Sequence, residues 1–358
     1  MTDLSGALDF MATHARLLDR RHLDVVLGSG PEADDALLTA LCAHRNPDGG
    51  FGWALEPDLR APSSQPVGAL HAFELMEVAA RAAAHGAADV GGPAGTGGAA
   101  QAGGAAQPGG AAQPGGAAQA GGAVPGTGAA PAGGAAQAGG AAPAGGAMAA
   151  ALCDWLGAVT LDDGGLPFSL PGADAPGSAP WWAGADPTVS SLHITSAICG
   201  AAHRLAEHDP AVAGHPWLAR ATVYCLDAVA KLEQRGPAYE FRYVLWLLDA
   251  AHDRVPAAAA QLERLASFVP LSGELPVEGG VEGEKLRPLE ISPLPGRPLR
   301  ELVAEDVIVR DLDALADEQH DDGGWTVDFP SSSPAGTLEW RGIATVRALT
   351  TLRANGRV

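Results

Sequence analysis

Three short turns of one design punctuate this sequence: Asp48-Gly49-Gly50-Phe51, Asp163-Gly164-Gly165-Leu166 and Asp322-Gly323-Gly324-Trp325. Each follows one helix-patterned stretch and precedes another, and a weaker echo stands at Gly273-Glu274-Leu275-Pro276. Asp48 and Asp163 lie 115 residues apart, Asp163 and Asp322 lie 159 apart, and between the first pair sits a segment, 86–147, of very different composition. Its 62 residues hold 22 of the 48 glycines and one charge, Asp89. Setting it aside shortens the first interval to 53 residues, and the second is three times 53. A turn recurring at a fixed period marks a repeated supersecondary unit. Each unit is expected to be a helical hairpin, with inner helices beginning near Gln65, Asp186, Tyr239 and Glu339.

The segment itself repeats Gly pairs at 97–98, 103–104, 109–110, 115–116 and 121–122, then at 133–134, 139–140 and 145–146, as a six-residue unit GGAAQ(A/P). Ala, Gly, Gln and Pro offer no large apolar side chain to offset roughly 1–2 kcal/mol of ordering entropy per residue, so a disordered insertion is expected. Collagen would need Gly at every third position, which this unit lacks.

Elsewhere the apolar residues recur at threes and fours, as one face of a helix requires. This pattern predicts about ten helices, including Leu4–Leu18, Ala36–His44, Gly68–Ala84, Met148–Val159, Asp186–Leu205, Trp217–Leu232, Tyr239–His252, Ala257–Phe268, Val303–Ala316 and Ile343–Leu352. The expected fold is all-α: one α/α toroid of about five or six hairpins, built from 1–85 and 148–358 and interrupted by the insertion at 86–147.

Charge narrows the partners. With 22 Lys and Arg against 42 Asp and Glu the chain carries −20, which repels polyanions and argues against nucleic acid. The first ten residues lack the basic-then-apolar pattern of an export signal, and no run reaches the ~18 apolar residues that span a bilayer, so a cytoplasmic protein with at most peripheral membrane contact is expected. Cys42, Cys153, Cys199 and Cys225 stand singly with no CxxC, and read as buried free thiols.

At the last turn, Gln319-His320-Asp321-Asp322-Gly323-Gly324-Trp325 fits QxxxGxW. With the three Gly-rich turns at hairpin spacing, it resembles the QW motif of the squalene–hopene cyclase and prenyltransferase repeat superfamily. The resemblance implies the toroid, and a terpene cyclase-like enzyme of isomerase or lyase type that protonates an isoprenoid in a central cavity. Class II cyclases of that superfamily use a DxDDT-like motif. The nearest counterpart is Gly184-Ala185-Asp186-Pro187-Thr188, which keeps the third acid as Asp186 and the final Thr as Thr188 but has Gly184 and Pro187 at the first and fourth positions.

On this basis Asp186 is the expected acid, assisted by Glu339 or Glu56, with Trp53, Asp58, Arg60, Trp181, Trp182, Trp340 and Arg341 lining the cavity. Asp186 before Pro187 also fits a helix N-cap, and the rim acids and arginines also fit surface ion pairs. The stripe Tyr239, Tyr243, Trp246 fits core packing or cavity lining. No metal or cofactor is called for: prenyltransferase-type zinc ligands (a DxC pair) and DDxxD are missing, and the loose basic set Lys285, Arg287, Arg297, Arg300 is diluted by Glu282, Glu284 and Glu290. Two other readings fit the same residues. A toroid acting on carbohydrate would use Glu56, Asp58, Asp186 or Glu339 as paired carboxylates, and a noncatalytic scaffold would bind a lipid or protein.

Overall fold

The computed structural model describes residues 2–30, 32–90 and 145–358. Residues 91–144, most of the expected insertion, lie outside that range. At the edges of the insertion the Ala-rich flanks remain helical, because Ala has the highest helix propensity: one helix runs on to Val90 and the next starts at Gly145.

Among the described residues the chain is mainly α-helical, with 14 α-helices and a single two-residue strand pair. The helices are α1 Leu4–His14, α2 Leu17–Val26, α3 Glu32–Leu41, α4 Pro66–Val90, α5 Gly145–Val159, α6 Pro180–Ala183 and α7 Leu192–Leu205. They continue with α8 Pro210–Ala213, α9 Pro216–Val229, α10 Ala238–Ala251, α11 Pro256–Leu265, α12 Pro288–Ile291, α13 Glu305–Asp317 and α14 Pro334–Ala354. Strands β1 Leu275–Pro276 and β2 Lys285–Leu286 pair antiparallel. No described helix is long and apolar enough to cross a membrane.

The three Gly-rich turns share one construction. In each, the Asp carboxylate accepts the backbone N–H two residues on: Asp48 from Gly50 at 3.0 Å, Asp163 from Gly165 at 3.0 Å and Asp322 from Gly324 at 3.1 Å. The same Oδ1 atoms also accept from Ser64 and Ser190, just before the following helices, and from Arg341 within α14. The first glycine has φ of 93°, 95° and 90°, a region open to Gly at little cost. It also brings its backbone onto a helix: Gly49 against Ala151 of α5, Gly164 against Arg220 of α9, and Gly323 against Gly6 of α1. At the echo, shifted by one residue, Ser272 Oγ accepts from Glu274 N–H at 3.2 Å and Gly273 has φ 68°.

Packing follows those contacts. One large cluster contains Leu37, Leu41, Phe51, Phe73, Leu152, Leu156, Leu166 and Phe241, all essentially inaccessible. A second, built on Phe10, Met11, Ile308, Leu312, Trp325, Val346 and Leu349, joins α1 to α13 and α14, so the first and last helices share a core. Cys153, Cys199 and Cys225 are buried and all four thiols are free.

Three sequence expectations change. The stretch Leu4–Leu18 is two helices, because Arg16 is extended at ψ 153° and its guanidinium grips Asp19 at 2.8 and 3.0 Å, starting α2 in a new direction. The helix expected from Asp186 begins at Leu192, capped by Ser191, whose Oγ accepts from Ile194 N–H. Glu339 lies in the second turn of α14, since Pro334 preceded by the capping Ser333 starts that helix earlier.

Gln319 explains why a glutamine stands at the last turn. Its Nε2 donates to the carbonyls of Asp3 at 2.8 Å and Gly323 at 2.9 Å, while its Oε1 accepts from Asp3 N–H at 2.7 Å. Gln319→Ala is expected to cost about 1–2 kcal/mol. Hydrogen–deuterium exchange should find the loss of protection concentrated in α1, and protection unchanged there would contradict the role.

Candidate functional site

The loop between α3 and α4 carries the densest set of polar side chains. It leaves the first turn through Trp53 and Ala54, both left-handed at φ 53° and 56°. Such residues cost roughly 1–3 kcal/mol each and persist only where their surroundings over-determine them. Here Trp53 N–H donates to Ala61 O at 2.8 Å, its Nε1 to Asn46 Oδ1 at 2.8 Å, and Arg16 reaches the carbonyls of Ala54 and Leu55. The kink turns Glu56 and Asp58 inward, 7% and 2% exposed.

Glu56 meets His71 of α4. His71 Nε2 lies 2.7 Å from Glu56 Oε2, and its Nδ1 lies 3.1 Å from Glu74 Oε2, so both ring nitrogens face carboxylates. Only the imidazolium can donate at both positions. Burial alone would pull His71 down, but the bonds to Glu56 and Glu74 outweigh it and push the ring up to about 9. Burial would likewise raise Glu74, but the His71 bond and the charges of Arg347 and Arg204 outweigh it and bring the carboxyl down to about 2. Glu74 is the accessible arm: its side chain keeps 31% of its surface, against 8% for Glu56.

Asp58 is fully committed. Oδ1 accepts from Ser331 Oγ at 2.7 Å and Ser332 N–H at 3.2 Å, and Oδ2 accepts from Trp340 Nε1 at 2.7 Å. It therefore fastens the segment before α14 to the α3–α4 loop. Arg60 pairs with Glu339 at 2.5 Å, and its N–H donates to Ser178 Oγ at 2.8 Å. Arg16 lies within electrostatic reach of both Glu339 and Glu56, which draws these groups into one neighbourhood. His22 of α2 sits beside it, lowered to about 4 by burial against the pull of Asp19 and Glu74.

Of the residues expected from sequence, the structure thus gathers Glu56, Asp58, Arg60, Glu339 and Trp340. Asp186 stands apart. It is fully exposed, its Oδ1 accepts from Thr188 N–H at 2.8 Å and Thr188 Oγ1 at 2.7 Å, and those bonds lower its carboxyl below the usual range. Arg341 is spent on Asp322, with both nitrogens at 2.8 Å, and stacks on Phe10 at 4.5 Å. Trp53 and Trp181 are about half exposed, whereas Trp182 is buried and stacks on Phe168 at 4.8 Å.

Sequence reasoning missed His71, Glu74, Arg16, Asp19 and His22. A signal existed in α4: Ala69, Leu70, Ala72, Phe73, Leu75, Met76, Val78 and Ala79 are buried around the helix, leaving a narrow polar stripe of His71, Glu74, Glu77 and Arg81. A helix apolar on most of its circumference with one charged line is buried in protein and faces a polar interior along that line. The sequence matches no family model, and no curated protein matches it.

Proposed function

We propose that six hairpins, α1/α2, α3/α4, α5/α7, α9/α10, α11/α12 and α13/α14, close into an α/α toroid, and that its interior transfers a proton to an oxygen function of a small molecule. Closure is supported by the turns: the first packs on α5, the second on α9, and the last returns to α1. The chemistry rests on one observation, the His71 imidazolium held between Glu56 and Glu74.

A substrate oxygen that displaces the accessible Glu74 arm receives the Nδ1–H bond in its place. Losing one carboxylate lowers the acidity barrier of the ring from about 9 toward neutrality, where general acid catalysis is most effective. The proton moves from Nδ1 to the oxygen as its C–O bond weakens, and Glu56 keeps the ring oriented through Nε2. An imidazolium is far too weak an acid to protonate an unactivated alkene, so the substrate class is an oxygen-bearing one: an isoprenoid epoxide fits the superfamily resemblance, and a glycoside fits the paired carboxylates. The exposed, acid-shifted Asp186 is unsuited to hold a proton at neutral pH.

The test is a mass-spectrometric product screen of wild type, His71→Gln and Asp186→Asn against linear isoprenoid hydrocarbons, diphosphates, epoxides and aryl glycosides. Conversion is expected only of oxygen-bearing substrates, lost by at least a hundredfold in His71→Gln and kept in Asp186→Asn. The reverse pattern would restore Asp186 as the acid, and folded wild type inert to the whole panel would leave a binding scaffold.

A further inference from the structure

A second cluster lies on α7 and α10. Arg242 is 9% exposed, and its Nε is buried without a hydrogen-bond partner among the described residues. The nearest carboxylate, Glu290 Oε1, is 3.9 Å from NH1, beyond hydrogen-bond distance. Aromatic faces surround the cation instead: its Cζ lies 5.1 Å from the Tyr239 ring, 4.6 Å from Tyr243 and 5.2 Å from Trp246. Arg204 stacks on the same Trp246 ring at 5.3 Å and forms neither a hydrogen bond nor an ion pair among the described residues. Two guanidiniums thus share one indole, with Glu290 at 3.9 Å the nearest carboxylate to Arg242, in a chain of net charge −20.

Tyr239 and Trp246 have their own polar atoms occupied. Tyr239 OH donates to Glu284 Oε1 at 2.9 Å, and Trp246 Nε1 donates to Ile291 O at 2.7 Å. What the cluster still offers is π surface and unpaired N–H donors. His193, 5.1 Å from Tyr243, adds a neutral ring, since burial and then the Arg242 charge bring it down to about 4. Rings plus a planar fork suit an apolar body ending in one flat anion. Two cations with Glu290 and Glu74 nearby balance a monoanion better than a diphosphate.

We propose that Arg242 and Arg204 hold the carboxylate of a carboxylate-bearing small molecule, with its apolar body against Tyr239, Tyr243 and Trp246. This deepens the reading of the interior as a ligand site, which it presupposes. Arg204 also lies within electrostatic reach of Glu74, the carboxylate on His71 Nδ1.

Isothermal titration of the full chain with decanoate, decanol, decyl phosphate and decylammonium tests the proposal. Decanoate should bind at least tenfold tighter than the other three, and Arg204→Met or Arg242→Met should weaken it about tenfold to a hundredfold. Circular dichroism checks the folding of each variant. If Arg242→Met fails to fold, Arg204→Met and Arg242→Lys, which keeps the charge without the fork, decide the matter. Decanoate binding no better than decanol, or unchanged in Arg204→Met, overturns the proposal, and a preference for decyl phosphate replaces it with a phosphate site. Turnover in His71→Gln and decanoate binding in the arginine variants are read from separate measurements, so the two readings fail separately.

Discussion

Gly323→Ala is expected to be among the most destabilising single substitutions in this chain. The φ of 90° costs an L-residue roughly 1–2 kcal/mol. The added Cβ would also overlap the Gly6 carbonyl and lie 2.8 Å from Ala7 N, both backbone atoms of α1 that move only with the helix. Overpacking against rigid neighbours adds about 1–3 kcal/mol, for a total of about 2–5 kcal/mol. At about 2–4 °C per kcal/mol the melting temperature should fall by roughly 10 °C. Gly356→Ala is the matched control, with φ 69° and nothing within 4 Å of the new Cβ, so it should lose only the conformational part, about 1–2 kcal/mol. Equal losses in the two variants would mean that the last turn does not bear on α1.

The second large effect belongs to His71. Its folded value of about 9 exceeds the unfolded 6.5, so its contribution is complete below 6.5 and disappears as pH rises through 9. The size is on the order of 3 kcal/mol. Half-buried His22 and His193 run the other way. Both are lowered to about 4 from 6.5, so they cost nothing above 6.5 and destabilise the fold as pH falls toward 4. Glu74, at about 2 against 4.5, keeps its contribution above 4.5 and loses it below that. Thermal stability should therefore peak near pH 6.5. His71→Gln should lose on the order of 3 kcal/mol at that pH, because it strands the buried Glu56 charge, and its alkaline limb should be flat. Adding Glu56→Gln should restore part of the loss. A wild-type stability curve level from pH 6.5 to 9 would contradict the imidazolium assignment.

The helical class and the turns were legible because both are written in local chemistry. Periodicity of three and four declares a helix, and an Asp followed by two glycines declares an i to i+2 carboxylate bond with a positive φ behind it. The interval of 53 residues even located equivalent turns across the Gly/Ala-rich segment. The residues Glu56, Asp58, Arg60, Glu339 and Trp340 follow the first and last of those turns in the sequence, which is why they could be named as one group. Asp186 does not start the helix expected of it, because an Asp-Pro-Thr string caps a helix and closes an Asx turn equally well. The choice fell to Ser191, which starts α7 six residues on from Asp186.

What the sequence alone determined is the helical class, the Gly-rich turns and the faces the helices must bury, because these depend on neighbours within a few residues. Which charges meet was decided only by tertiary structure. His71 owes its proton to Glu56, 15 residues away and turned inward by a left-handed kink, and Asp58 is satisfied by Ser331 and Trp340, more than 270 residues on. Arg204 and Arg242 come together over one indole from two separate helices. A charge has a sign in the sequence but acquires a proton affinity only from the distance and burial of its partners, and those belong to the packed chain.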